Sequence, residues 1–185
     1  MAINRFVGVL LALSMSSMAA CTATPAATPT PTVSGSVTPT PSATTPTPTP
    51  AEVDLENAKQ AVVALWSVVD RLTNDSNSSI QDLDAVASGQ ALTMLQNNLM
   101  TYRARGWKGS GSAAVTAESA KSAGTNARGY ATWTVTACVD RSDTELVDAD
   151  GKSAQLPPYR IRHRSTVVER SASLYVDQDE ALGTC

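Results

Sequence analysis

The chain has 185 residues, a formal net charge of −3 and a pI near 5.1, so nothing in its charge balance offers nucleic acid a basic surface. Hydrophobic residues make up 42% and charged residues 17%, a composition that folds, over a length that suits one domain with accessory segments. Three cysteines and a single histidine argue against a cysteine-dense scaffold, a histidine-rich metal site and a serine triad with a histidine to spare.

Residues 1–20 have the layout of a secretory signal. A short basic start at Asn4-Arg5 leads into an apolar stretch from Phe6 to Leu13, and Met18-Ala19-Ala20-Cys21 closes it with small residues before a cysteine. The stretch is too short to span a bilayer. This pattern resembles bacterial lipoproteins, which implies cleavage before Cys21 and attachment of diacylglycerol to its thiol. Two or three acyl chains such as palmitate, rather than one, make a stable anchor. The expected location is the extracytoplasmic face of the cell membrane, with an outer membrane as the alternative.

Residues 21–50 follow as a linker. From Thr22 to Pro50 there is no charged residue, and eight of the ten prolines fall here. Such threonine-proline sequence favours extended, semi-rigid backbone and reaches roughly 90 Å at about 3.1 Å per residue. It is read as a spacer, with O-linked sugar as the alternative.

The globular domain is expected over residues 51–185. Leu55, Ala58, Val62, Leu65, Trp66, Val69 and Leu72 recur at spacings of three and four, which predicts a long helix with one buried face. Asn74 to Ser79 breaks it. A short second helix is predicted with Ser79 as N-cap and Ile80, Leu83 and Val86 inward. A third buries Ala91, Leu92, Leu95, Leu99 and Tyr102, with Arg103 and Arg105 in its last turn and Gly106 as its C-terminal cap.

After Gly106 the period changes to two. Trp107 to Lys121 reads as a weak strand, followed by a turn at Gly124-Thr125-Asn126. Tyr130 to Val139 reads as a strong strand with Ala131, Trp133, Val135, Ala137 and Val139 on one face. Asp148 to Gly151 is a turn, Tyr159 to Arg170 a further strand, and Leu174 to Val176 the last. Helices followed by three or four antiparallel strands predict an α+β domain with the helices packed on one sheet face.

This order of elements is similar to the cone-shaped fold of the nuclear transport factor 2 and ketosteroid isomerase superfamily. Gly106-Trp107 opening the sheet, Ala137-Cys138-Val139-Asp140 and a cysteine at position 185 also resemble small lipoproteins of high-GC Gram-positive bacteria. The likeness spans residues 52–185. It implies a curved sheet and a pocket, and pairing through the sheets as a homodimer. Members range from isomerases to inert binding domains, so it does not fix the function.

With Cys21 lipidated, Cys138 and Cys185 remain, and an exported domain with two thiols is expected to join them in one disulfide. A reactive or metal-binding thiol is the alternative, but no CxxC spacing accompanies either cysteine. Asp140, Asp143, Glu145, Asp148 and Asp150 form an acidic run that departs from the helix-loop-helix calcium motif, and solvated turn carboxylates are the simpler reading. Arg160, Arg162 and Arg164 share one strand face and could meet an anionic partner, or pair within the chain; Ile161, His163 and Ser165 share the other. His163 is expected to be a buried structural residue. Trp66, Trp107 and Trp133 are read as core. Tyr102, Tyr130 and Asp140 are the residue types an isomerase would use, but no motif assigns them such a role.

The reading is an exported, lipid-anchored, non-catalytic binding module of the cell envelope. Its expected partners are the membrane, through Cys21, and an envelope protein or wall component. No cofactor, metal or catalytic residue is assigned. The alternatives are a carrier or isomerase-like enzyme with a small apolar ligand in the cone, and a phage-related surface exclusion lipoprotein.

Overall fold

A computed structural model describes residues 49–154 and 157–185. The signal segment, Cys21 and the linker up to residue 48 lie outside the described residues. The helices come first and the strands after: α1 (Pro50–Asn74), a 3-10 helix (Ile80–Ala85), α2 (Gly89–Ala104), then β1 (Lys108–Ser110), β2 (Ala114–Thr125), β3 (Ala131–Asp140), β4 (Glu145–Val147), β5 (Arg160–Arg170) and β6 (Ser173–Thr184). No helix among the described residues is long and apolar enough to cross a membrane.

The last two linker residues start the domain. Thr49 caps α1 in a reciprocal box: its hydroxyl oxygen accepts from the Glu52 amide at 3.3 Å, and the Glu52 carboxylate accepts from the Thr49 amide at 2.7 Å. Pro50 stands where a missing N–H costs nothing. Ala58, Val62, Leu65, Trp66 and Leu72 are buried along one face. At the other end Arg103, from the last turn of α2, donates to the carbonyls of Leu72 and Asp75 at 3.3 and 3.4 Å. The cation expected to complement its own helix therefore also closes the C-terminus of the neighbouring one.

The predicted short second helix is a 3-10 turn, and the Ser79 hydroxyl donates to Gln81 at 2.6 Å instead of capping the backbone. Trp107 to Lys121 is two strands rather than one. Gly111, at φ +79°, turns the chain there, and a Cβ at that position would run into the backbone carbonyl oxygen of Asp143. Asn74 donates to the Gly111 carbonyl at 2.6 Å, and the Asp70 carboxylate accepts from the Ala113 amide at 2.7 Å. Two side chains from the end of α1 thus hold the junction between β1 and β2.

The main sheet is antiparallel in the order β2-β3-β5-β6, and β1 pairs with β4 in a second, two-stranded sheet. β2 pairs as far as Thr125, so the turn lies at Asn126 to Tyr130, later than expected. β6 is much longer than the Leu174 to Val176 segment expected. Register shifts at Ala117/Ser119, Ser122/Gly124, Arg162/His163 and Thr166/Val167 bend the sheet. Its concave face buries Trp133, Val135, Ala137, Val139, Val167 and Val176 against α1 and α2. The α+β class and the curved antiparallel sheet therefore stand.

Cys138 and Cys185 form a disulfide with 5.9 Å between their Cα atoms. It ties residue 185 to the central strand β3.

Candidate functional site

A cavity of about 170 Å³ opens where α1 and α2 meet the concave side of the sheet and the β1–β4 ribbon. Its apolar wall comes from the helices, including Trp66, Val69, Leu95 and Leu99. Its polar wall includes Asp70, Tyr102, Arg141, His163 and Asp179.

Sheet register explains how a histidine and an aspartate meet in the interior. In β5 the inward positions include His163 and Ser165, as alternation requires. In β6, Val167 pairs with Val176 and Thr166 with Gln178, which leaves Asp177 as an extra residue. This bulge reverses the parity of β6, so Asp179 faces inward opposite Ser165. One oxygen of Asp179 lies 2.7 Å from His163 Nδ1, and the other accepts from Ser165 Oγ at 2.6 Å. Ser88 Oγ donates to the bulged Asp177 at 2.8 Å and fastens it to the start of α2.

His163 is 9% exposed and Ser165 is fully buried. The aspartate stands between histidine and serine, so the serine hydroxyl donates to the carboxylate and not to the imidazole, unlike the order of a serine–histidine–aspartate relay. Because a carboxylate accepts, His163 Nδ1 is the donor to Asp179. The imidazole meets Trp66 edge-on, with 5.1 Å between ring centroids. His163 is buried, as expected, and its ring also borders the cavity.

Asp70 is the second carboxyl of the site. Half-buried on α1, it has a pKa raised by desolvation against the opposing effects of the Ala113 N–H bond and the charge of Arg141. Trp66, 8% exposed, lines the same cavity and has a buried indole N–H with no hydrogen-bond partner. Such a donor has given up water without replacement, a loss of about 1–3 kcal/mol.

Of the residue types named for isomerase chemistry, only Tyr102 lines this cavity, and its ring stacks on Trp107 with 5.4 Å between centroids. Asp140 is committed to a turn, accepting from the Ser142 amide and hydroxyl at 2.9 and 2.6 Å; those bonds and Arg160 lower its pKa. Tyr130 borders a separate groove at the end of the sheet. Trp133 is core. Asp70, which belongs to no motif in the sequence, stands four residues after Trp66, one turn along the same helix face.

The three arginines lie together on the convex side, each beside a carboxylate. Arg160 meets Asp140 at 3.4 Å, Arg162 meets Glu118 at 3.0 Å and Arg164 meets Glu180 at 2.6 Å. An anionic partner would have to displace these pairs. The acidic run is also locally engaged: Asp148 accepts from the amides of Asp150 and Lys152, both at 2.9 Å. Among the described residues no group of three or more histidine, cysteine, aspartate or glutamate side chains is placed to hold a metal ion.

No protein-family model matches the chain. No curated protein matches it either. Among solved structures it is similar to the crystal structure of the intermembrane space region of the chloroplast protein ARC6, with a TM-score of 0.51 and 14% identity over 71% of this chain and 98% of that one. At that identity the likeness is one of fold.

Proposed function

We propose that this chain is an exported lipoprotein, anchored through Cys21 to the extracytoplasmic face of the cell membrane, whose α+β domain is a non-catalytic binding module of the cell envelope. The lipid sits at one end of a threonine-proline spacer and the folded domain at the other. The domain itself is read as a cone of the nuclear transport factor 2 type, a reading supported by the curved sheet closed by N-terminal helices, and the whole as a relative of the small lipoproteins of high-GC Gram-positive bacteria.

The observation that favours a binding module over a carrier of a small apolar ligand in the cone is the cavity. Sites for drug-sized molecules usually enclose about 300–1,000 Å³ and are mostly apolar. Here about 170 Å³ is lined on one side by ionisable groups. That volume suits a small molecule or the tip of a partner's side chain.

The test uses the full chain in a bacterium that processes lipoproteins, grown with an alkyne-tagged palmitate, beside a Cys21→Ser variant. Label in the wild-type chain alone, on protein that protease reaches from outside the cell, is the expected result. Equal absence of label from both, with the chain released to the medium, overturns the anchor. Native mass spectrometry of the extracted chain should show no co-purifying apolar small molecule; finding one would move the reading to a carrier or isomerase-like enzyme.

A further inference from the structure

We propose that the groove at the end of the main sheet, between the β2–β3 turn, the end of β5 and the bulge of β6, binds a phosphate ester, with Arg128 and Arg170 as its cationic contacts. It shares no lining residue with the cavity beneath α1 and α2, so the proposal goes beyond the reading above and does not depend on it.

The arginines sort by what holds them. Arg71 meets Asp82 at 2.9 Å, the three of the 160–164 stripe each meet a carboxylate, and Arg103 donates to backbone carbonyls. Among the described residues no carboxylate stands within ion-pair distance of Arg128 or Arg170, and both line one groove of about 260 Å³. The stripe would have to give up its carboxylates before it met an anion; these two arginines would not. Arg170 is positioned without being neutralised. Its guanidinium lies 4.6 Å from the Tyr175 ring centroid, a cation–π contact that orders the group and leaves its charge in place. Its Nε is buried without a partner, so a ligand is met by the terminal nitrogens.

The acceptors of the groove are already engaged. Asn126 Oδ1 accepts from the amides of Arg128 and Tyr130 at 3.0 and 3.1 Å. Asp177 accepts from Ser88 Oγ at 2.8 Å, and its carboxylate lies against the start of α2, where a Cβ on Gly89 would run into it. The side-chain groups left for a ligand are donors: the two guanidiniums and the amide nitrogen of Asn126.

Two guanidiniums against one engaged carboxylate give the lining an excess of positive charge, which selects an anion over a neutral molecule or a cation. Phosphate fits this placement better than a carboxylate does. A carboxylate has two oxygens in one plane and is satisfied by a single bidentate arginine. A phosphate ester carries further oxygens around a tetrahedral centre and up to about two charges, so it can engage arginines from two elements, the β2–β3 turn and β5. The groove exceeds the roughly 150 Å³ that accepts benzene, which leaves room for a short ester beside the phosphate.

The full chain, extracted in nonionic detergent micelles and labelled with ¹⁵N, is titrated with inorganic phosphate, glycerol 1-phosphate, acetate and glycerol while the backbone N–H resonances of residues 126–130 and 170 are followed. Both phosphates should shift them saturably, acetate should bind about tenfold more weakly, and glycerol should shift nothing. Arg128→Gln and Arg170→Gln should each weaken glycerol 1-phosphate by about tenfold, the order of one charge-assisted hydrogen bond. Arg164→Gln, which alters a paired arginine of the same sheet, should leave binding unchanged. Arg128 is exposed, so its variant decides the matter even if Arg170→Gln does not fold. Dihexanoyl phosphatidylglycerol, run beside glycerol 1-phosphate, identifies the source of the phosphate: tighter binding of the lipid assigns a headgroup, and tighter binding of the free ester a soluble ligand. No saturable shift from either phosphate, acetate binding as tightly as phosphate, or an equal loss in Arg164→Gln overturns the proposal.

Discussion

Asp179 holds His163 at 2.7 Å with one carboxylate oxygen and Ser165 at 2.6 Å with the other, across the β5–β6 pair and inside the core. Removing the carboxylate leaves two buried polar groups without their partner. Asp179→Ala should therefore cost about 3 kcal/mol. Urea unfolding of wild type and variant would measure it. Asp179→Asn, which can still satisfy one neighbour, should fall between them.

Asp70 makes a prediction about pH. Its folded pKa is raised above the ordinary 3.8, with desolvation the largest cause. Below the unfolded value both states are protonated and the group contributes nothing to the balance. As pH rises the unfolded carboxyl ionises first, so the folded state is progressively penalised, and the penalty persists once both states are ionised. The melting temperature of Asp70→Asn relative to wild type should accordingly rise between about pH 3 and about pH 7. A difference that stays flat over that range would contradict the burial argument.

The disulfide closes a long segment of chain, Cys185 lying 47 positions after Cys138. A loop of that size can contribute up to about 4 kcal/mol by restricting the unfolded chain. Cys138→Ser should melt well below the oxidised wild type, and reductant should lower the wild type while leaving the variant unchanged. Equal melting of all four samples would show that pairing of β6 with β5 already holds the end of the chain.

Two glycines share φ +79° and differ in surroundings. Gly129 has open space where a Cβ would stand, while at Gly111 that atom would strike the carbonyl of Asp143. Gly129→Ala should cost only backbone strain, about 1 kcal/mol. Gly111→Ala should cost about 2 kcal/mol or more, since the β1–β2 junction must also move. Thermal melts of the two variants test the difference.

Much of this fold is visible in residue order because it rests on local periodicity. The three- and four-residue spacing from Leu55 to Leu72 predicts α1, and the alternation from Ala131 to Val139 predicts β3. Asp70 could have been found by noting a carboxylate one turn after Trp66 on that apolar face. Asp179 could not. Strict alternation inward from Val176 places Asp179 outside, and only the bulge at Asp177, fastened by Ser88 from 89 positions earlier, turns it in.

The arginines show the same division. Their common face follows from alternation, but their engagement does not. Glu118 lies 44 positions before Arg162, and the carboxylates arrive from three other strands, Glu118 from β2, Asp140 from β3 and Glu180 from β6. By itself the amino-acid sequence determined that helices precede strands, the buried face of α1, the choice of Cys138 and Cys185 as the pair to be joined and the capacity of residues 160–164 to form a basic stripe. Those features depend on residue type and on spacing within one element. Tertiary structure alone decided the cavity, the Asp179 bridge between His163 and Ser165, the unpartnered Trp66 N–H and the half-burial of Asp70. Each of these depends on which distant element arrives beside a side chain, and bulges and register set that arrival.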